Sequence, residues 1–145
     1  MLAVYLNSHS QNLKGSIVKK DRHKILIVED DISSQQYYTI ILEDLFDLKI
    51  VATVASAKEM LLEFEYQAAI IDISLPGGEN GIDLIKFIQS EYPKGPVCIA
   101  LTAHAFPHTR IEALESGAAA FFTKPIMSGV LIDALKSHIK SFTKE

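Results

Sequence analysis

From Lys24 onward, short runs of β-branched and aliphatic residues alternate with longer stretches whose apolar positions recur at helical spacing. Such alternation predicts successive βαβ units and a parallel sheet. The runs KILIVE (24–29), KIVATV (49–54), AAIID (68–72), PVCIAL (96–101) and AAFFT (119–123) read as five strands, with helices predicted at 33–46, 57–65, 81–91, 107–116 and 127–141. Strands 1, 3 and 4 are apolar at nearly every position, as expected where helices cover both faces. Helix ends carry chemical signals. SAKE (56–59) has the spacing of a capping box between Ser56 and Glu59. Pro107 suits a first helical position, Gly117 a position just past a helix end, and Pro93 a stop for the third helix. A doubly wound α/β domain at 23–145 follows, and residues 1–22, polar and without a sustained period, predict a poorly ordered leader or linker.

The length of 145 residues and the 48% hydrophobic content support one packed core and leave too little chain for two ordinary domains. Charge narrows the partners. Three of the 14 basic residues, Lys14, Lys19 and Lys20, stand in residues 1–20 with no acid, which leaves 11 basic against 18 acidic residues beyond, a balance of −7. A domain this acidic is ill suited to neutralising phosphates, so direct nucleic-acid binding is not expected. No run of about 18 apolar residues exists to cross a membrane, and MLAVYLNSHSQ lacks the basic start of a secretory signal. The single cysteine, Cys98, lies within an apolar run and reads as a small core residue. A cytoplasmic location with no membrane contact is the expectation.

In open parallel sheets the functional crevice lies at the carboxyl ends of the strands. Strand 1 runs out into Glu29-Asp30-Asp31, strand 3 into Asp72, strand 4 into Thr102 and strand 5 into Lys124-Pro125. A single acid at a strand end is ordinary helix-capping material, but these groups share one rim. Clustered carboxylates repel unless protonated or neutralised, and Mg²⁺ is the hard, oxygen-loving ion that accepts a few carboxylates plus waters. Asp30 and Asp72 would ligate directly and Glu29 through water. A carboxylate so held can attack a phosphoryl group, with Lys124 supplying positive charge and Thr102 a hydroxyl donor. A resting salt bridge from Lys124 to the acids, and a turn capped by Thr102, are the plainer roles of the same residues.

The pieces ILIVEDD, IIDISLPGGENG, LTA and FFTKP, in this order and at this spacing from about Lys24 to Ser141, resemble the receiver domain of two-component response regulators. The resemblance implies a flavodoxin-like fold with strand order 2-1-3-4-5 and five helices. It implies that Asp72 is the phosphorylated aspartate, that Glu29 and Asp30 are the acidic pair that binds Mg²⁺, and that the backbone carbonyl of Ser74 is a further ligand. Thr102 is similar to the switch hydroxyl, Lys124, before what is often a cis proline, to the family's lysine, and Phe121 to the aromatic switch. Plain core packing would also account for Phe121. Ser74 and His104, two residues after the acceptor and two after the threonine, fall at positions the family uses to tune phosphoryl lifetime. The implied partners are a histidine kinase or histidine phosphotransfer protein and a downstream protein target, with room for a dimer formed on phosphorylation. Such a protein is a signalling phospho-acceptor, turning over nothing but its own phosphoryl group.

One departure from the family pattern stands out. The loop Pro76–Gly81 looks one residue longer than the common form, with Gly77 and Gly78 adjacent. Three other readings compete. A haloacid-dehalogenase-type phosphatase needs a second aspartate two residues after its nucleophile, where this chain has Ser74. An FMN-binding flavodoxin needs phosphate donors in the first loop, where Glu29-Asp30-Asp31 would repel one. A receiver that only docks would lack a required residue, and none is missing. Little chain follows the last predicted helix, so a stand-alone receiver and a receiver piece of a hybrid histidine kinase or longer regulator both fit.

Overall fold

Every residue of Ala68–Asp72 (β3) is buried, and this strand forms the middle of the molecule. In the computed structural model, which describes residues 22–139, β3 lies between β1 (Lys24–Val28) and β4 (Val97–Thr102). Half-buried β2 (Asp47–Val51) and the short β5 (Ala120–Thr123) form the edges. The order is β2-β1-β3-β4-β5 and every pairing is parallel, the flavodoxin-like arrangement. Period-2 alternation divides each central strand between two cores. Leu26, Val28, Ala69, Ile71 and Ala100 face a core completed by α2 (Val54–Glu63), α3 (Gly81–Glu91) and α4 (Pro107–Glu115). Ile25, Ile27, Ile70, Ile99 and Leu101 face the other, completed by α1 (Ile32–Leu42) and α5 (Ser128–His138).

The third helix, 81–91, and the third strand, 68–72, occupy the residues the sequence pattern marks. Pro107 opens α4, and Gly117 stands past its end at φ 121°, a left-handed conformation that glycine adopts without a Cβ clash. Three elements differ most from expectation. The second strand runs Asp47–Val51 rather than 49–54, because β1 fixes its register from Lys24 opposite Asp47. The second helix starts at Val54, capped by Thr53, whose hydroxyl accepts from the Ser56 amide at 3.1 Å. Ser56 and Glu59 therefore form no capping box; Val54 and Ala57 must be helical to bury. The capping box of this fold stands elsewhere, at Asn80 and Asp83, whose side chains accept reciprocal amides at 3.0 and 2.9 Å. Finally, α1 stops at Leu42, short of 46, and the turn that follows drops Phe46 into the core.

The last helix ends at His138, short of 141, because Ile139 takes extended backbone at φ −76° and ψ 119° and is buried; residues 1–21 of the expected leader lie outside the described residues. Arg22, the remaining leader position, is tied to the domain by a hydrogen bond from its guanidinium to the Glu43 carbonyl at 2.8 Å.

Candidate functional site

Parallel register assembles the site. Val28 pairs with Ile71, so Glu29 follows on beside Asp72, and Asp72 pairs with Leu101, one residue before Thr102. Thr102 pairs with Thr123, and Lys124 follows. The ladder extends one residue past each strand, with amides of Glu29, Ile73 and Lys124 donating to the carbonyls of Val51, Leu101 and Thr102 at 2.9 Å. Four chemically active side chains thus rise from rigid backbone at one edge of the sheet.

Lys124 joins them. Its Nζ donates to Glu29 Oε1 at 2.6 Å and to Asp72 Oδ2 at 3.1 Å. The remaining oxygens are also engaged: Glu29 Oε2 accepts the Asp31 amide at 3.0 Å, and Asp72 Oδ1 the Ser74 amide at 2.9 Å. Satisfaction of this kind is what makes burial tolerable, since Glu29 is 1% and Asp72 6% exposed. The Lys124–Pro125 peptide is cis.

The acids after β1 divide their work. Asp31 caps α1, accepting the Ser34 amide at 2.9 Å, and that bond holds its carboxyl below the ordinary range. Asp30 stays exposed and, with Glu29 and Asp72, offers carboxylate oxygens all within 4.8 Å of one another. Three carboxylates against one ammonium form an electron-rich, all-oxygen donor set, which could hold a hard divalent cation. Burial pushes the Glu29 carboxyl up, partly offset by Lys124 and the Asp31 amide, with the charge of Asp72 adding to the rise. Burial works to lower the Lys124 ammonium, and its bonds to Glu29 and Asp72 outweigh that and raise it.

Thr102 is fully buried at the end of β4, and its Oγ1 accepts the His104 amide at 3.1 Å. Its neighbour in register is the site, but its hydrogen bond runs to the following loop. His104 itself is exposed. Phe121 is 8% exposed and packs in the α2–α4 core, with the Arg110 guanidinium 5.8 Å from its ring centroid. Ser74 contributes its amide to Asp72.

Several contributors escape a reading of the sequence. Gln35 on α1 donates from Nε2 to the Glu29 carbonyl at 2.6 Å. Tyr38, one turn on, is buried, and burial together with the charges of Glu29 and Asp72 pushes its phenol upward. Gly81 carries a steric demand: a Cβ there would lie 2.2 Å from the Asp72 carbonyl oxygen and 2.8 Å from Ile73 Cα. Helix α3 therefore starts in direct backbone contact with the end of β3. No local pattern distinguishes these residues, whose roles depend on neighbours that the fold brings beside them.

The sequence model described as the response regulator receiver domain matches residues 25–136. The chain belongs to this family. Among curated receivers, the response regulator protein PilR of Pseudomonas aeruginosa is 32% identical over 120 residues, covering 82% of this chain and 26% of that protein. The DNA-binding response regulator MtrA of Mycobacterium bovis is 28% identical, covering 82% and 51%. The chain thus spans about a quarter to a half of the length of these relatives. A CheY-like receiver domain protein from Methanospirillum hungatei superposes with a TM-score of 0.78 at 26% identity, covering 86% of this chain and 98% of that one. The receiver fold and the receiver sequence therefore each extend over most of the chain. Among the described residues no helix is long and apolar enough to cross a membrane.

Proposed function

We propose that Asp72 accepts a phosphoryl group from a phosphohistidine on a histidine kinase or histidine phosphotransfer protein, and that the phosphorylated domain then changes its contacts with a downstream protein. The observation that carries this reading is Lys124 Nζ bridging Glu29 and Asp72 at 2.6 and 3.1 Å beside exposed Asp30. In the transfer, an oxygen of the Asp72 carboxylate bonds phosphorus while the phosphorus–nitrogen bond breaks; the imidazole keeps the electron pair and takes up a proton. Lys124 neutralises charge gathering on the phosphoryl oxygens, and the Thr102 hydroxyl, whose oxygen now accepts from His104, retains a hydrogen to donate. Phe121 would follow Thr102 as the aromatic element of the switch, while Ser74 and His104, flanking the acceptor and the threonine, would set how long the phosphoryl group lasts.

The carboxylates of Glu29, Asp30 and Asp72 fit Mg²⁺; Asp30, Asp72 and the Ser74 carbonyl would hold the ion and Glu29 would hold a bound water. Such an ion, when bound, supplies positive charge to the phosphoryl oxygens. The domain's own residues orient the nucleophile: Ser74 fixes one Asp72 oxygen and Lys124 the other. The reading makes this a cytoplasmic signalling acceptor that catalyses only its own phosphorylation and dephosphorylation, with dimerisation as a further route for the signal.

Incubation with acetyl phosphate and Mg²⁺ should give one acid-labile phosphoryl group per chain, and Asp72→Asn should abolish it. Undiminished labelling of that variant overturns the assignment, and steady turnover of p-nitrophenyl phosphate would mark a phosphatase instead. Asp30→Asn should weaken Mg²⁺ binding by titration, and unchanged affinity would remove Asp30 from the metal site.

A further inference from the structure

The loop between β3 and α3 leaves the acceptor strand after Asp72 and ends at Gly81, against the backbone of Asp72 and Ile73. Its inner parts are fastened by burial of Ile73 and Leu75, by the Gly81 amide on the Ile73 carbonyl at 3.0 Å, and by the Asn80 cap. Its outer part is open. Gly77 has a positive φ of 99°, and a Cβ at Gly77 or Gly78 would meet nothing within 4 Å.

One side chain outside the loop reaches it there. Lys58 on α2 donates to both carboxylate oxygens of Glu79, at 3.1 and 3.3 Å, while its ammonium lies 4.4 Å from the centroid of the Phe87 ring on α3. An aromatic face under the ammonium fixes a lysine that would otherwise be free to wander, so a partly exposed ion pair gains a defined geometry. The side chains are 31% and 51% exposed.

We propose that Lys58 is a positioning residue for the acceptor site: by seating on Phe87 and holding Glu79, it fastens the outer Pro76–Asn80 loop beside Asp72 and so governs donor access. The inference rests on the reading of Asp72 as phosphoryl acceptor. Asp72 is 6% exposed and the loop leaves the strand directly after it, so the setting of the loop bears on how an incoming phosphorus atom reaches the carboxylate. The outer loop is then a strap that α2 holds through Glu79.

Lys58→Met keeps the packing on Phe87 and removes the charge; Glu79→Gln removes the other half. Each should raise the rate of labelling by acetyl phosphate roughly two- to five-fold, the range an exposed ion pair can shift. The double variant should rise no further, and exchanging the charges with Lys58→Glu and Glu79→Lys should return the rate towards wild type. Native-state hydrogen exchange at the hydrogen-bonded Leu75, Asn80 and Gly81 amides should quicken in both single variants. Unchanged exchange overturns the fastening, with or without phosphorylation. Quickened exchange with wild-type labelling, or additive effects in the double variant, overturns the role at the acceptor. Asp72→Asn, run alongside, reports on the acceptor itself: labelling that survives it tells against Asp72, not against the strap.

Discussion

At the start of β1, Lys24 meets Asp47 at 3.0 Å; just past its other end, Glu29 meets Lys124 at 2.6 Å. Each pair joins a lysine to a carboxylate, and Lys24 and Glu29 stand five residues apart along the chain. At the amino end both side chains are about two-fifths exposed, at 39% and 41%, whereas at the carboxyl end they are 16% and 1% exposed. The amino end does not lack space, since an open groove of about 1390 Å³, lined in part by Phe64, Tyr92 and Pro96, lies there. What it lacks is charge held away from water. In water an ion pair is screened and easily replaced, while a buried carboxylate depends on its cation and each remaining oxygen needs a donor. The interdependent charges have collected where burial makes each partner indispensable, and not beside the open groove.

The sharpest way to break that contrast is to remove the cations. Lys124→Met leaves Glu29 and Asp72 facing each other without an ammonium and should cost about 3 kcal/mol of stability in urea unfolding, with Mg²⁺ restoring part of the loss. A cost no larger than that of Lys24→Met would erase the difference between the ends. Next in size is Gly81→Ala, whose Cβ would press on the backbone of Asp72 and Ile73; about 2 kcal/mol should be lost, against less than about 0.5 kcal/mol for Gly78→Ala in open space. Equal melting temperatures for the two variants would show that the contact at Asp72 yields freely.

A smaller effect, confined to a window of pH, belongs to Glu29. Its folded-state value is raised above the ordinary 4.5, so the unfolded chain gives up this proton first. Stability should therefore fall as pH rises from 4.5 through the raised value and then level off; Glu29→Gln, without Mg²⁺, should lack that fall. Chemical unfolding across pH 4 to 8 distinguishes the two curves. Smallest of all, Lys24→Met should change stability by less than about 1 kcal/mol, and less still at high salt.

The sheet was legible where strands are buried on both faces. Ala68–Asp72 is apolar up to its acid, and its bounds follow from that pattern. Legibility failed at the edge, because half-buried β2 has Asp47 and Lys49 among its residues and takes its register from β1, which local pattern does not report. The second helix misled differently: Thr53 and Ser56 are both chemically competent caps, and the burial of Val54 decides between them. The convergence of Glu29, Asp30, Asp72 and Lys124 could be read from strand ends alone, since a parallel sheet aligns those ends. Gln35, Gly81 and Lys58 could not, because each acts through a neighbour that only the folded chain supplies.

Cys98, the only cysteine of the chain, sits fully buried in β4, where burial pushes its thiol up to about 12. A thiol so protonated and enclosed is a poor nucleophile at neutral pH. The protein is for that reason a natural host for single-site reporters: a spin label or fluorophore placed through Gly78→Cys would attach at the loop alone. The motion of the strap beside Asp72 could then be followed by spectroscopy in a chain with no native residue removed but that glycine.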